Sequence, residues 1–182
     1  MAQSITPHDQ ASIRPDNLVS RRRIENAREF LAWSDELSVG IQEIDEQHKI
    51  LAGLTNCLFN EAILNKGDPA VIESILNELI QYTQIHFSVE ESLFRIFNYP
   101  EADIHQQHHN QLKKEVFEIK QKFTSGAAVD LDLMHLLREW LTKHIMIEDK
   151  QYTQFFLSKG LKANWPKSRS WIGKIWDSMH LQ

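Results

Sequence analysis

The chain has 182 residues, 42% hydrophobic and 25% charged, with a formal net charge of −5. That length suits one domain with a sizeable core, and the mild acidity argues against general nucleic-acid binding, which needs a basic field. A single cysteine, Cys57, excludes an intramolecular disulfide and fits a reducing cytoplasm.

The first residues carry charges, Pro7 and Pro15 but no apolar h-region, so no secretory signal is expected. No apolar run approaches the roughly eighteen residues of a spanning helix. Residues 1–32 form an N-terminal arm whose arginine triplet at 21–23 reads as a solvated face. Helical periodicity then runs from about Ile41 to Lys66, with Gly67 expected in a left-handed cap. Cys57, in the apolar run LTNCLF, reads as a buried structural thiol.

Asp68 and Pro69 read as the N-cap and first position of a second helix, which stops near Phe97 ahead of Pro100. A third runs from about Glu101 to Thr124 and is closed by Ser125-Gly126. Asp130 caps a fourth that ends near Ser158, with Gly160 beyond. Short connections between long helices make neighbours antiparallel. The expected fold is all-α, an up-down-up-down antiparallel four-helix bundle over residues 33–160. Residues 161–182 form a short C-terminal helical extension with an apolar stripe of Trp171, Ile172, Ile175, Trp176 and Met179. Its natural place is back on the bundle or the arm. Its lysines and arginine also suit a membrane surface or a partner protein.

Each helix carries metal-ligand chemistry. His48 lies on the first, His86 and Glu90 one turn apart on the second, His105 and His109 likewise on the third, and His144 and Asp149 on the fourth. Taken singly, a histidine such as His48 is ordinarily a satisfied or half-exposed side chain, and His86–Glu90 is an ordinary surface pair. Taken together they differ, because His86 and His144 sit in apolar stretches where an unpaired polar group is costly. A shared metal site satisfies all of them at once. One spacing resists: positions five apart on an α-helix differ by about 140°, so His144 and Asp149 do not share a face. A one-residue π-bulge within residues 144–149 would align them.

Five imidazoles and two carboxylates, with no thiolate, exclude an iron–sulfur cluster or a cysteine-type zinc site. They are too many ligands for one ion, so two are expected. If both carboxylates bridge and one further oxygen does too, a pair of six-coordinate ions keeps one open position, which fits binding of one small molecule.

The stretches WSDELSVGIQEIDEQHKIL, HFSVEESLF followed by NYP, HQQHH and WLTKHIMIED resemble the bacterial hemerythrins over roughly residues 33–158. The resemblance implies a non-haem centre of two iron ions with an oxo or hydroxo bridge, binding O2 reversibly for carriage, storage, delivery or sensing. It implies His105, His109 and His144 on the filled iron, His48 and His86 on the iron with the vacancy, and Glu90 and Asp149 as bridges. Trp140, Leu141 and Ile145 are then expected to wall the O2 pocket. Phe94 departs from the family, where methionine is frequent, without touching ligation. Glu91 and His108 are expected to be solvated, and Asp45 to be a helix-start acid or a partner of the ligands. The chain is expected not to be an enzyme. Its alternatives are a diiron oxidase, peroxidase or nitric oxide-handling enzyme, and a dizinc or mixed-metal structural site.

Overall fold

All four long helical segments are present, and two of them are not α-helical throughout. The structure, a computed structural model, describes residues 23–161. Helix α1 (Gln42–Phe59) continues into a π-helical turn, Asn60–Leu64. Helices α2 (Pro69–Phe97) and α3 (Ala102–Thr124) follow. The fourth segment is α4 (Leu131–Lys143), a second π-helical stretch, His144–Asp149, and α5 (Lys150–Ser158). Helix α1 packs on α2, α2 on α3, and α4 returns to α1, which closes the antiparallel bundle. No strand occurs among the described residues.

Local chemistry sets the boundaries. Asp68 accepts from Ala70 N at 2.8 Å ahead of Pro69, and Asp130 accepts from Leu133 N at 2.8 Å, each satisfying a helix-start donor. Asn98 ends α2 in the left-handed region (φ 52°), two residues before Pro100. After the first π turn the left-handed residue is Lys66 (φ 48°), not Gly67 as expected. Gly67 fits a tight place there: a Cβ would lie 2.6 Å from Glu61 Oε2, which would have to swing aside, and 3.2 Å from Glu61 O, while its N–H donates to that carbonyl at 2.8 Å.

The bundle has an apolar half and a polar half. Leu58, Ile75, Leu76, Val116, Ile119, Met134 and Leu137 fill the half near the α1–α2 turn. Burial of each such side chain contributes about 1.5–3 kcal/mol. This half offsets the cost of burying His48, His86, Glu90, His105, His109, His144 and Asp149 in the other.

The described part of the arm packs on α1. Asn56 accepts from Phe30 N at 3.0 Å and Leu31 N at 2.7 Å, and donates to Leu31 O at 3.0 Å. Phe30 stacks on Phe59 with centroids 4.3 Å apart, and Arg138 lies over its ring. Asp45 takes the helix-start role: Oδ1 accepts from Val39 N at 2.7 Å and Oδ2 from Ser38 Oγ at 2.6 Å. Arg21, Arg22 and the amphipathic stripe from Trp171 to Met179 lie outside the described residues. No helix of the described residues is long and apolar enough to cross a membrane.

Candidate metal centre

The fourth segment decides whether the site can close. Through its π stretch, His144 Nε2 comes to 3.2 Å from Asp149 Oδ1, although the two are five residues apart. The bulge expected from the spacing is there.

The seven side chains expected from the sequence are all buried and meet in one cluster. Each carboxylate divides its oxygens between two groups of histidines. Glu90 turns Oε1 toward His86 Nε2 (3.7 Å) and Oε2 toward His109 Nε2 (3.1 Å) and His105 Nε2 (3.9 Å). Asp149 turns Oδ2 toward His48 Nε2 (3.2 Å) and Oδ1 toward His105 and His144 Nε2 (both 3.2 Å). Two groups of potential ligand atoms result, His105–His109–His144 and His48–His86, sharing Glu90 and Asp149.

These atoms lack ordinary hydrogen-bond partners. The Nε2 atoms of all five histidines, Glu90 Oε2 and both Asp149 oxygens are buried and unpaired by hydrogen bonds. Each buried unsatisfied group costs about 1–3 kcal/mol, so their convergence is unfavourable unless a cation sits among them. The donor set of imidazole nitrogens and carboxylate oxygens fits a divalent or trivalent first-row metal.

Protonation follows burial and neighbours. Burial pushes His86 down to about 3, so its imidazole is neutral and able to ligate. Burial and Asp149 push Glu90 up, but His86 and His109 outweigh them and leave it ionised, at about 2. Burial likewise opposes ionisation of Asp149, yet His144, His105 and His48 hold it well below the carboxylate range. His144 is pushed down by burial, but Asp149 and Glu148 raise it to about 9, so a bound cation displaces a proton there.

The outer nitrogens have their own partners. His86 Nδ1 donates to Gln47 Oε1 at 3.1 Å, His109 Nδ1 to Glu91 Oε1 at 3.1 Å, and His144 Nδ1 to Glu148 Oε2 at 2.6 Å. Glu91 is therefore an orienting group, a correction to its expected solvated role, and it also binds Lys113 and Gln106. His108 is half exposed, yet its Nδ1 lies 3.2 Å from Glu148. Tyr152, fully buried, donates its hydroxyl to Glu90 Oε1. Gln47, Glu148 and Tyr152 escaped the sequence reading. The available signals were weak: Gln47 precedes His48, Glu148 precedes Asp149, and Tyr152 lies three residues beyond Asp149 on the same helix face.

Aromatic rings brace the cluster. Phe87 stacks on His109 with centroids 3.8 Å apart, and Phe94 meets His105 edge-on at 4.8 Å. Leu141 and Ile145 are buried. Trp140 is half buried and stacks on His144 at 6.1 Å, which places it against the three-histidine group.

A family model described as the hemerythrin HHE cation binding domain matches residues 39–156. The chain belongs to the hemerythrin family. It is 36% identical over 122 residues to a bacteriohemerythrin of Pseudomonas paraeruginosa, covering 67% of this chain and 78% of that one. It is 30% identical over 146 residues to a bacteriohemerythrin of Stenotrophomonas maltophilia, covering 80% and 94%. A crystal structure of wild-type hemerythrin superposes with a TM-score of 0.65 at 29% identity, covering 69% of this chain and 96% of that one. The hemerythrin match spans every residue of the cluster and leaves the arm and the C-terminal extension outside it.

Proposed function

We propose that this chain binds O2 reversibly at two iron ions. His105, His109 and His144 would hold one, His48 and His86 the other, and Glu90 and Asp149 would bridge them. The observation that carries this reading is the division of each carboxylate between the two histidine groups, with the facing nitrogens left without hydrogen bonds. Two ferrous ions held by these residues would supply the electrons that O2 takes up on binding and gives back on release.

The protein's part is positioning and exclusion. Gln47, Glu91 and Glu148 fix the outer proton of their histidines, which turns each Nε2 inward as the ligand atom. Tyr152 holds one oxygen of Glu90. Leu141 and Ile145 are assigned to the apolar wall of the O2 pocket, whereas Trp140, stacked on His144, stands against the three-histidine group. Buried aliphatic side chains such as Leu141 and Ile145 suit a neutral diatomic and keep water out. A cytoplasmic setting fits the single buried thiol, Cys57.

Carriage, storage, delivery and sensing are all served by this chemistry. An oxidase, peroxidase or nitric oxide-handling enzyme is the competing reading. Oxygen-activating centres of that kind draw on more carboxylate donors than the two present. The deciding experiment reduces the iron-loaded protein without oxygen, admits air and follows the visible spectrum with iron quantified per chain. A band that forms in air and fades when O2 is removed is expected. Oxidation without such a band, or turnover with added reductant, overturns the reading in favour of an enzyme. Retention of zinc in place of iron overturns it in favour of a structural site.

A further inference from the structure

The orienting groups around the cluster are electrically unequal. His86 is held by a neutral amide, Gln47, and His48 Nδ1 has no hydrogen-bond partner. His109 is held by a carboxylate, Glu91, but the same Oε1 receives Lys113 Nζ at 3.1 Å, which offsets its charge. His144 is held by Glu148, whose ion-pair partners among the described residues are His144 itself and, at 3.2 Å, His108 Nδ1. Among the described residues no lysine or arginine forms an ion pair with it, and its charged neighbours are imidazoles.

The π stretch creates this arrangement. It brings consecutive carboxylates onto one imidazole, Glu148 Oε2 at 2.6 Å from Nδ1 and Asp149 Oδ1 at 3.2 Å from Nε2. In a regular α-helix only the residue four away would face His144. A short contact between a ring N–H and a carboxylate is a charge-assisted hydrogen bond. It makes the ring a stronger donor through its other nitrogen and brings a negative charge near whatever that nitrogen binds.

We propose that Glu148 is a positioning residue that makes His144 the most electron-rich imidazole of the centre and so favours the ferric state in the three-histidine half. The inference rests on the diiron reading above. The Glu148 side chain is 19% exposed, so solvent screens part of its charge and the effect is moderate. The consequence is a built-in inequality between the two halves: the His48–His86 half keeps the neutral orienter and would be the weaker donor set.

The test compares midpoint potentials of the iron-loaded full-length chain and its Glu148→Gln, Glu148→Asp and Glu91→Gln variants by spectroelectrochemical titration, with iron counted in each. Glu148→Gln keeps an acceptor for Nδ1 and removes the charge. It is expected to hold wild-type iron while the ferric-to-ferrous equilibrium shifts about tenfold toward ferrous, about 59 mV for one electron. Glu148→Asp, which keeps the charge, and Glu91→Gln, whose charge Lys113 already offsets, are expected to shift it less. Full iron with a wild-type potential in Glu148→Gln overturns the inference. So does an equal shift in Glu148→Asp, or loss of iron from a Glu148→Gln variant whose helical circular dichroism is unchanged. If the unsubstituted chain takes up no iron, the diiron reading itself fails, which is a distinct result.

Discussion

The Tyr152 hydroxyl donates to Glu90 Oε1 across the bundle, joining the fourth helical segment to α2 at the middle of the histidine cluster. Both residues are fully buried, so neither group has water as an alternative. Burial first, then Glu90 and Asp149, raise the phenol well above its ordinary range, so it remains a donor. Replacement by phenylalanine keeps the volume and leaves a carboxylate oxygen without its partner. Tyr152→Phe is expected to lower the unfolding free energy of the metal-free protein by about 1–3 kcal/mol. Urea unfolding measures it, and an unchanged midpoint and slope would show that the contact contributes nothing.

Gln47 does for His86 what the carboxylates do for His109 and His144, without a charge. Gln47→Leu leaves the His86 ring free to turn and its Nδ1 proton unsatisfied. Iron in the two-histidine half is expected to bind about 10–100-fold more weakly, while the other half keeps its ion. Competition against a graded series of chelators reads this directly. Equal loss from both halves would mean that Gln47 supports the fold and not one ligand.

Asn56 uses its whole side-chain amide to fasten the arm to α1. Asn56→Ala removes three hydrogen bonds and leaves Leu31 N–H, in a buried residue, unpaired. A loss of about 2 kcal/mol is expected, with faster proteolysis between Arg28 and Trp33 before any cut within the helices. Cleavage in the helices at the same rate would refute a local role.

Burial, and then Glu78, push the Cys57 thiol up to about 11 from an ordinary value of 9.0. At about pH 8 the native thiol is expected to resist alkylation that the unfolded chain undergoes readily. The sign for stability follows. The folded state holds the proton more tightly, so this contribution is complete below about pH 9 and is lost as pH rises through about 11. Denaturant titrations across that window, compared with Cys57→Ala, isolate it; an identical slope in both would exclude the thiol as the source.

Much of this protein is determined by sequence alone. The helices, their caps at Asp68 and Asp130 and the short turns are local matters, because capping, proline and apolar period act within a few residues. The convergence of seven ligand-type side chains was legible too, since four-residue spacings put His86 with Glu90 and His105 with His109 on common faces. Even the π stretch at His144–Asp149 was implied, by a spacing that no regular helix accommodates. What only the tertiary structure decided lies between helices. Which carboxylate oxygen faces which histidine, that Glu91 turns to His109 instead of solvent, and that Tyr152 reaches Glu90 all depend on rotamers and on distances between helix axes. The left-handed residue after the first helix is Lys66 and not Gly67, whose N–H donates to the Glu61 carbonyl in a close approach that only the packed turn sets. Periodicity reports the face on which a residue lies; contact across the bundle is set by packing, which no single segment encodes.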